Sequence, residues 1–138
     1  MAGVVLADSG AIVAALDKRD QHHAWARRQF DASTEACITC EAVLAECFFL
    51  LEHLRDGKQA LCRLLDRGLM DVAFVFDPHR SDVLRLIERY SDTPMSFADA
   101  CLVKMSEIHR TCRVLTTDSD FIVYRRFGRE MIPVIAPW

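Results

Sequence analysis

Two kinds of segment are missing from this chain of 138 residues. The opening stretch, MAGVVLADSG, carries no basic region and meets an acid at Asp8, so it does not read as a secretory leader. The longest purely apolar run near the middle is CFFLL, residues 47–51. A membrane-crossing helix needs roughly 20 such residues. These absences lead us to expect a cytoplasmic protein with no membrane attachment. Internal repeats and low-complexity tracts are also missing, which excludes repeat arrays and disordered tails. Six cysteines are present, but the CITC at residues 37–40 has no second ligand pair at similar spacing, so a zinc site is not expected. The cysteines read instead as buried free thiols. No Ser/His or Cys/His arrangement offers a nucleophile. The net charge of −3 is too small to decide for or against nucleic acid, because local patches matter more than the total.

What is present is apolar. Hydrophobic residues make up 51% of the chain, with eight Phe and two Trp, enough to bury a proper core. The length suits one domain, expected over residues 1–138. Five apolar runs, VVLA (4–7), ACIT (36–39), VAFVF (72–76), RVLTT (113–117) and MIPVI (131–135), do not alternate polar with apolar. They therefore predict strands buried on both faces. Helical patterns lie between them at roughly 9–17, 21–32, 40–54, 57–67, 79–90 and 96–110, with a short one at 119–127. Strand and helix alternating in this way predict an α/β fold: a three-layer α/β/α sandwich around a five-stranded, mainly parallel sheet. In such sheets ligands bind beyond the carboxyl ends of the strands. The first strand ends at Asp8 and the fourth at Asp118, so both tips are acidic.

Each acid has an ordinary explanation. Asp8 and Asp118 stand where helix caps stand, and Asp99 follows Ser96 at capping-box spacing. Glu46 resists such an account. On a helix its neighbours are Ala42, Val43, Phe49 and Leu50, all apolar, which predicts that it points into the protein. Asp99 has Met95, Leu102 and Val103 around it and also looks inward. Asp8, Glu46, Asp99 and Asp118, with Asp120 adjacent, are therefore expected to converge on one cleft. No lysine or arginine accompanies them, so their mutual repulsion calls for a divalent cation. Hard oxygen ligands without His or Cys favour Mg²⁺ or Mn²⁺. Two other readings share the acids at strand ends. A receiver-like phosphoacceptor domain would use Asp77, but MIPVIAPW supplies no lysine after the last strand, and only one acid follows the first. A non-catalytic interaction module of the same fold is the other alternative.

Four segments, VLADSGAIVAAL (5–16), ITCEAVLAECFFLL (38–51), MSFADACLV (95–103) and VLTTDSDF (114–121), together resemble the motifs of PIN-domain ribonucleases. They are most similar to those of VapC-like toxins from type II toxin–antitoxin pairs. The resemblance runs from residue 4 to about residue 135. It implies a metal-dependent endoribonuclease, commonly a homodimer, neutralised by an antitoxin. The family's catalytic acids fall on Asp8, Glu46, Asp99 and Asp118. Metal contacts fall on Asp8, Asp99, Asp118 and Asp120, and small hydroxyls beside the metal on Ser9, Thr116 and Thr117. Gly10 departs from the pattern, where a bulkier residue often follows the hydroxyl. Arg125 and Arg126, just beyond the acidic turn, are expected to hold the RNA backbone.

Overall fold

The computed structural model describes residues 3–138. Strand β1 (Val4–Ala7) leads into α1 (Ser9–Leu16) and α2 (His23–Ala32). Strand β2 (Ala36–Thr39) is followed by α3 (Glu41–Leu50) and α4 (Gly57–Asp66), and a short β3 (Asp71–Val72) by α5 (Arg80–Arg89) and α6 (Phe97–Ile108). Then come β4 (Cys112–Leu115), β5 (Arg125–Arg126), β6 (Glu130–Met131) and β7 (Val134–Ile135). The main sheet has the order β3-β2-β1-β4-β7, with all neighbours parallel. The chain moves outward from β1 to β3 and then returns to the other side of β1 with β4. The order therefore reverses between β1 and β4, and Asp8 and the start of the 116–120 turn follow those two strands.

Both sheet faces are covered because successive strand residues point to opposite sides. Leu6, Ile38 and Val114 join the larger core with Val43 and Cys47 of α3 and Cys101, Leu102 and Met105 of α6. Val5 and Leu115 face the other way, onto Ala11 of α1 and the rings of Trp25 and Phe30 on α2. Four of the six cysteines are buried, Cys37 is half-buried, Cys62 is exposed, and none is bonded to another.

Five elements differ from the sequence expectation. The third strand stops at Val72. Ala73 still donates to the Thr39 carbonyl at 3.1 Å, but Val75 is turned out to solvent and a 3₁₀ turn begins at Asp77, ahead of Pro78. The fourth strand ends at Leu115, although the Thr116 N–H still donates to the Ile135 carbonyl at 3.1 Å. The fifth run is split into β6 and β7, with Pro133 between them. The helix expected at 119–127 is a 3₁₀ turn over Ser119–Ile122 followed by the antiparallel β5–β6 hairpin. Phe127 and Gly128 at its tip take left-handed backbone angles, φ 52° and 81°. Helix α3 ends at Leu50, short of 54, and no described helix is long and apolar enough to cross a membrane.

Candidate active site

Asp8 leaves β1 in an extended conformation and caps α1, accepting from the Ser9 backbone N–H at 2.7 Å. Its other oxygen accepts from Thr116 Oγ1 at 2.7 Å. The Thr116 hydroxyl in turn accepts from the Asp118 N–H at 2.9 Å, so one threonine joins the tips of β1 and β4. Asp118 caps the 3₁₀ turn by accepting from the Asp120 N–H at 2.9 Å. Asp99 closes the capping box with Ser96, taking its N–H at 3.3 Å, and accepts Tyr124 OH at 2.9 Å on the same oxygen. Glu46 accepts Ser9 Oγ at 2.8 Å. The cap explanations therefore hold for Asp8, Asp99 and Asp118, and the same side chains also open onto a shared space. Asp8, Glu46, Asp99 and Asp118 line one cavity of about 310 Å³, together with Ser9, Gly10, Pro94, Ser96 and Thr117. No lysine, arginine or histidine is on that wall.

The electrostatics are those of crowded acids. Among the described residues, none of the four, nor Asp120, forms an ion pair with a basic side chain. Burial pushes the Asp8 carboxyl up to about 7, and the charges of Asp99 and Asp118 add to that; the Thr116 and Ser9 hydrogen bonds only partly offset it. Asp99 is raised for the same first reason, burial, against its bonds from Tyr124 and Ser96. Asp120 is raised by burial and by Asp118, but it stands outside the cavity wall. Among the described residues, no three His, Cys, Asp or Glu side chains come close enough to hold one ion jointly. The acids form a wide cup and not a tight cage.

Several expectations need correction. Glu46 does face the site, but only half of the expected apolar stripe is buried: Val43 and Ala42 pack against the core, while Phe49 is 73% exposed and Leu50 42%. Glu46 is turned by the Ser9 hydroxyl on α1. Arg126 does not reach toward the cup. Its buried guanidinium donates to the carbonyls of Ser106 (3.0 Å) and Arg110 (3.1 Å) at the far end of α6 and pairs with Glu130. The Arg125 guanidinium folds back onto the carbonyls of Ile122, Val123 and Tyr124. Arg126 is thus turned away from the cup, whereas Arg125 is half-buried and engages one guanidinium nitrogen only. Thr117 lines the cavity with no hydrogen bond from its hydroxyl among the described residues. A Cβ on residue 10 would overlap Thr117 Oγ1, which accounts for glycine where a larger residue was expected. Tyr124 escaped the sequence reading altogether. Its only local signal is an aromatic one helical turn after Asp120.

Comparison with known proteins decides the family. A family model described as "PIN domain" matches residues 5–126. The chain belongs to the PIN domain family. This PIN domain is 27% identical over 134 residues to Ribonuclease VapC26 of Mycobacterium tuberculosis, covering 95% of this chain and 99% of the relative. Its fold is similar to the crystal structure of VapC20 of the same organism, described as a sarcin-ricin loop cleaving toxin. The TM-score is 0.73 at 19% identity, covering 84% of this chain and 91% of that one. The resemblance to VapC proteins read from four short motifs thus extends over nearly the whole chain. The phosphoacceptor reading has no footing in this PIN domain. Asp77 is exposed, paired with Arg80, and absent from the acidic cavity.

Proposed function

We propose that the protein is a Mg²⁺- or Mn²⁺-dependent endoribonuclease of the VapC toxin kind, neutralised by an antitoxin and working as a homodimer. One observation carries this reading: four carboxylates from β1, α3, α6 and the turn after β4 share a cavity that no basic side chain enters. Oxygen donors alone suit a hard dication. The absence of a tight ligand cage among the described residues suits an ion that keeps part of its water. Asp8, Asp99 and Asp118 would hold it, with Asp120 near its edge. When bound, such a cation acidifies a water and offsets charge on the phosphate under attack.

The chain's own residues do the rest. Thr116 and the Ser9 N–H fix both Asp8 oxygens. Ser96 and Tyr124 bond one oxygen of Asp99 and leave the other open. Glu46 accepts one hydrogen bond and is not among the acids assigned to the ion, so it would be the acid to take a proton from the attacking water. Cleavage by water then leaves a 5′-phosphate and a 3′-hydroxyl. The relatives' names, a ribonuclease and an RNA-loop-cleaving toxin, support RNA as substrate. Exposed Phe49 and Leu50 on α3 support a second copy or a partner at that face.

The test is cleavage of a structured RNA with Mg²⁺, with Mn²⁺ and with chelator. We expect cleavage only with a metal, and losses of about 100-fold or more for Asp8→Asn and Asp99→Asn, as removal of several kcal/mol of charge stabilisation requires. Full activity of either variant, or of the chelated protein, refutes the proposal.

A further inference from the structure

Three of the four acids that line the cavity are each met by a hydroxyl. Ser9 serves Glu46, Thr116 serves Asp8, and Tyr124 serves Asp99. Hydroxyls orient a carboxylate without bringing a positive charge, so they leave its full attraction for a cation intact. Two of these hydroxyls come from residues beside the acids at the strand tips. The third comes from Tyr124, on the distal side of the 118–122 turn.

We propose that Tyr124 is a positioning residue for Asp99, selecting which of its two oxygens faces the cation. Both donors to Asp99, Tyr124 OH and the Ser96 N–H, fall on Oδ2. Oδ1 takes no hydrogen bond from any described residue, and it is not sealed from the cavity, since no fully buried side-chain oxygen is left without a partner. The Ser96 bond is the longer of the two, 3.3 Å against 2.9 Å, so the phenol is the stronger restraint on rotation of the carboxylate. The phenol is itself immobile. Its ring is fully buried, edge-on to Phe121 at 5.1 Å and to Tyr90 at 5.2 Å. The Tyr90 hydroxyl faces elsewhere and accepts from the Arg125 N–H at 2.9 Å. Tyr124 is delivered by the turn that carries Asp118 and Asp120, through its N–H to the Asp120 carbonyl at 3.1 Å. One short segment thus supplies two acids and the restraint on a third.

The inference rests on the metal cup proposed above, and the experiment separates the two. Mn²⁺ is titrated calorimetrically into the full chain as wild type, Tyr124→Phe and Tyr90→Phe. Loss of an outer hydrogen bond to a metal-binding side chain costs about 10–100-fold in affinity. We expect about tenfold weaker Mn²⁺ binding for Tyr124→Phe and less than a twofold change for Tyr90→Phe, which loses a hydroxyl from the same aromatic cluster. No Mn²⁺ binding by the wild type overturns the cup itself. Wild-type affinity in Tyr124→Phe, or equal weakening in both variants, overturns the role of Tyr124 alone. The chain has two tyrosines, so Tyr90→Phe protein grown with 3-fluorotyrosine reports Tyr124 as a single fluorine resonance. Mg²⁺ should shift that resonance, and adding Asp99→Asn should abolish the shift. An unmoved resonance overturns the proposal even if Tyr124→Phe does not fold.

Discussion

Asp8→Asn should make the metal-free protein more stable, and only above mildly acidic pH. Asp8 is 3% exposed, and its carboxyl sits near 7 in the folded chain because burial and the neighbouring acids disfavour its charge. The gap from the roughly 3.9 of a free aspartate is worth about 4 kcal/mol. The direction follows from proton counting. Between about pH 4 and 7 the folded chain keeps a proton that the unfolded chain has lost, so this group's stabilisation is complete below pH 4 and is lost as pH rises through 7. Asparagine removes the charge and keeps the acceptor for the Ser9 N–H. It cannot accept from Thr116 Oγ1, which returns about 2 kcal/mol of the gain. The net expectation at pH 8 in chelator is about 2 kcal/mol, or a rise in Tm of roughly 7 °C for a chain of this length. At pH 4 to 5 the gain should vanish or reverse. Calorimetric melts at pH 4.5 and 8, with chelator and with saturating Mn²⁺, check each part. Bound metal should reverse the order by stabilising the wild type alone. A lower Tm for the variant at pH 8 in chelator would mean that Asp8 acts as a cap and not as a crowded acid.

The other predictions test single contacts. Gly10→Ala should force Thr117 off its rotamer at about 1 kcal/mol, lowering Tm by roughly 3 °C, and adding Thr117→Ala should restore it; a double variant no better than the single one refutes the clash. Arg126→Ala should destabilise by about 3 kcal/mol, because it strips the buried donor from the Ser106 and Arg110 carbonyls. The salt dependence of RNA binding should not change with it, and a flatter slope would return Arg126 to the RNA. Phe49→Asp should convert a homodimer to a monomer in sedimentation, given the exposure of that ring on α3. A variant that remains dimeric places the interface elsewhere.

The alternation of strands and helices was legible because a parallel strand covered on both faces must be apolar throughout, and runs such as VVLA and ACIT have no other ready explanation. Asp8 and Asp118 were legible as acids at strand tips, where the topology opens the sheet. What lay beyond local pattern was long-range. Glu46 is turned by Ser9, 37 residues earlier in the chain, while two of the apolar neighbours used to argue its direction face solvent. The arginines were assigned by nearness to the acidic turn along the chain. For Arg126 that nearness misleads, because a hairpin, not a helix, follows the turn and carries its side chain away. The glycine in RFGRE is the local mark of that hairpin, and Phe127 before it, an unfavourable residue for a left-handed angle, hides the signal. Hydroxyl partners such as Tyr124 cannot be paired with acids until the backbone path is known.

Helix α6 is gripped at both ends by one stretch of three residues. Tyr124 takes hold at the amino end through Asp99, and Arg126 at the carboxyl end through the carbonyls of Ser106 and Arg110. The cation there also complements the negative pole of the helix. Axial sliding by even one residue, about 1.5 Å, would lengthen one grip as it shortened the other. A load applied at the Phe127–Gly128 tip is therefore mechanically connected to Asp99, although the two lie toward opposite ends of the same rod.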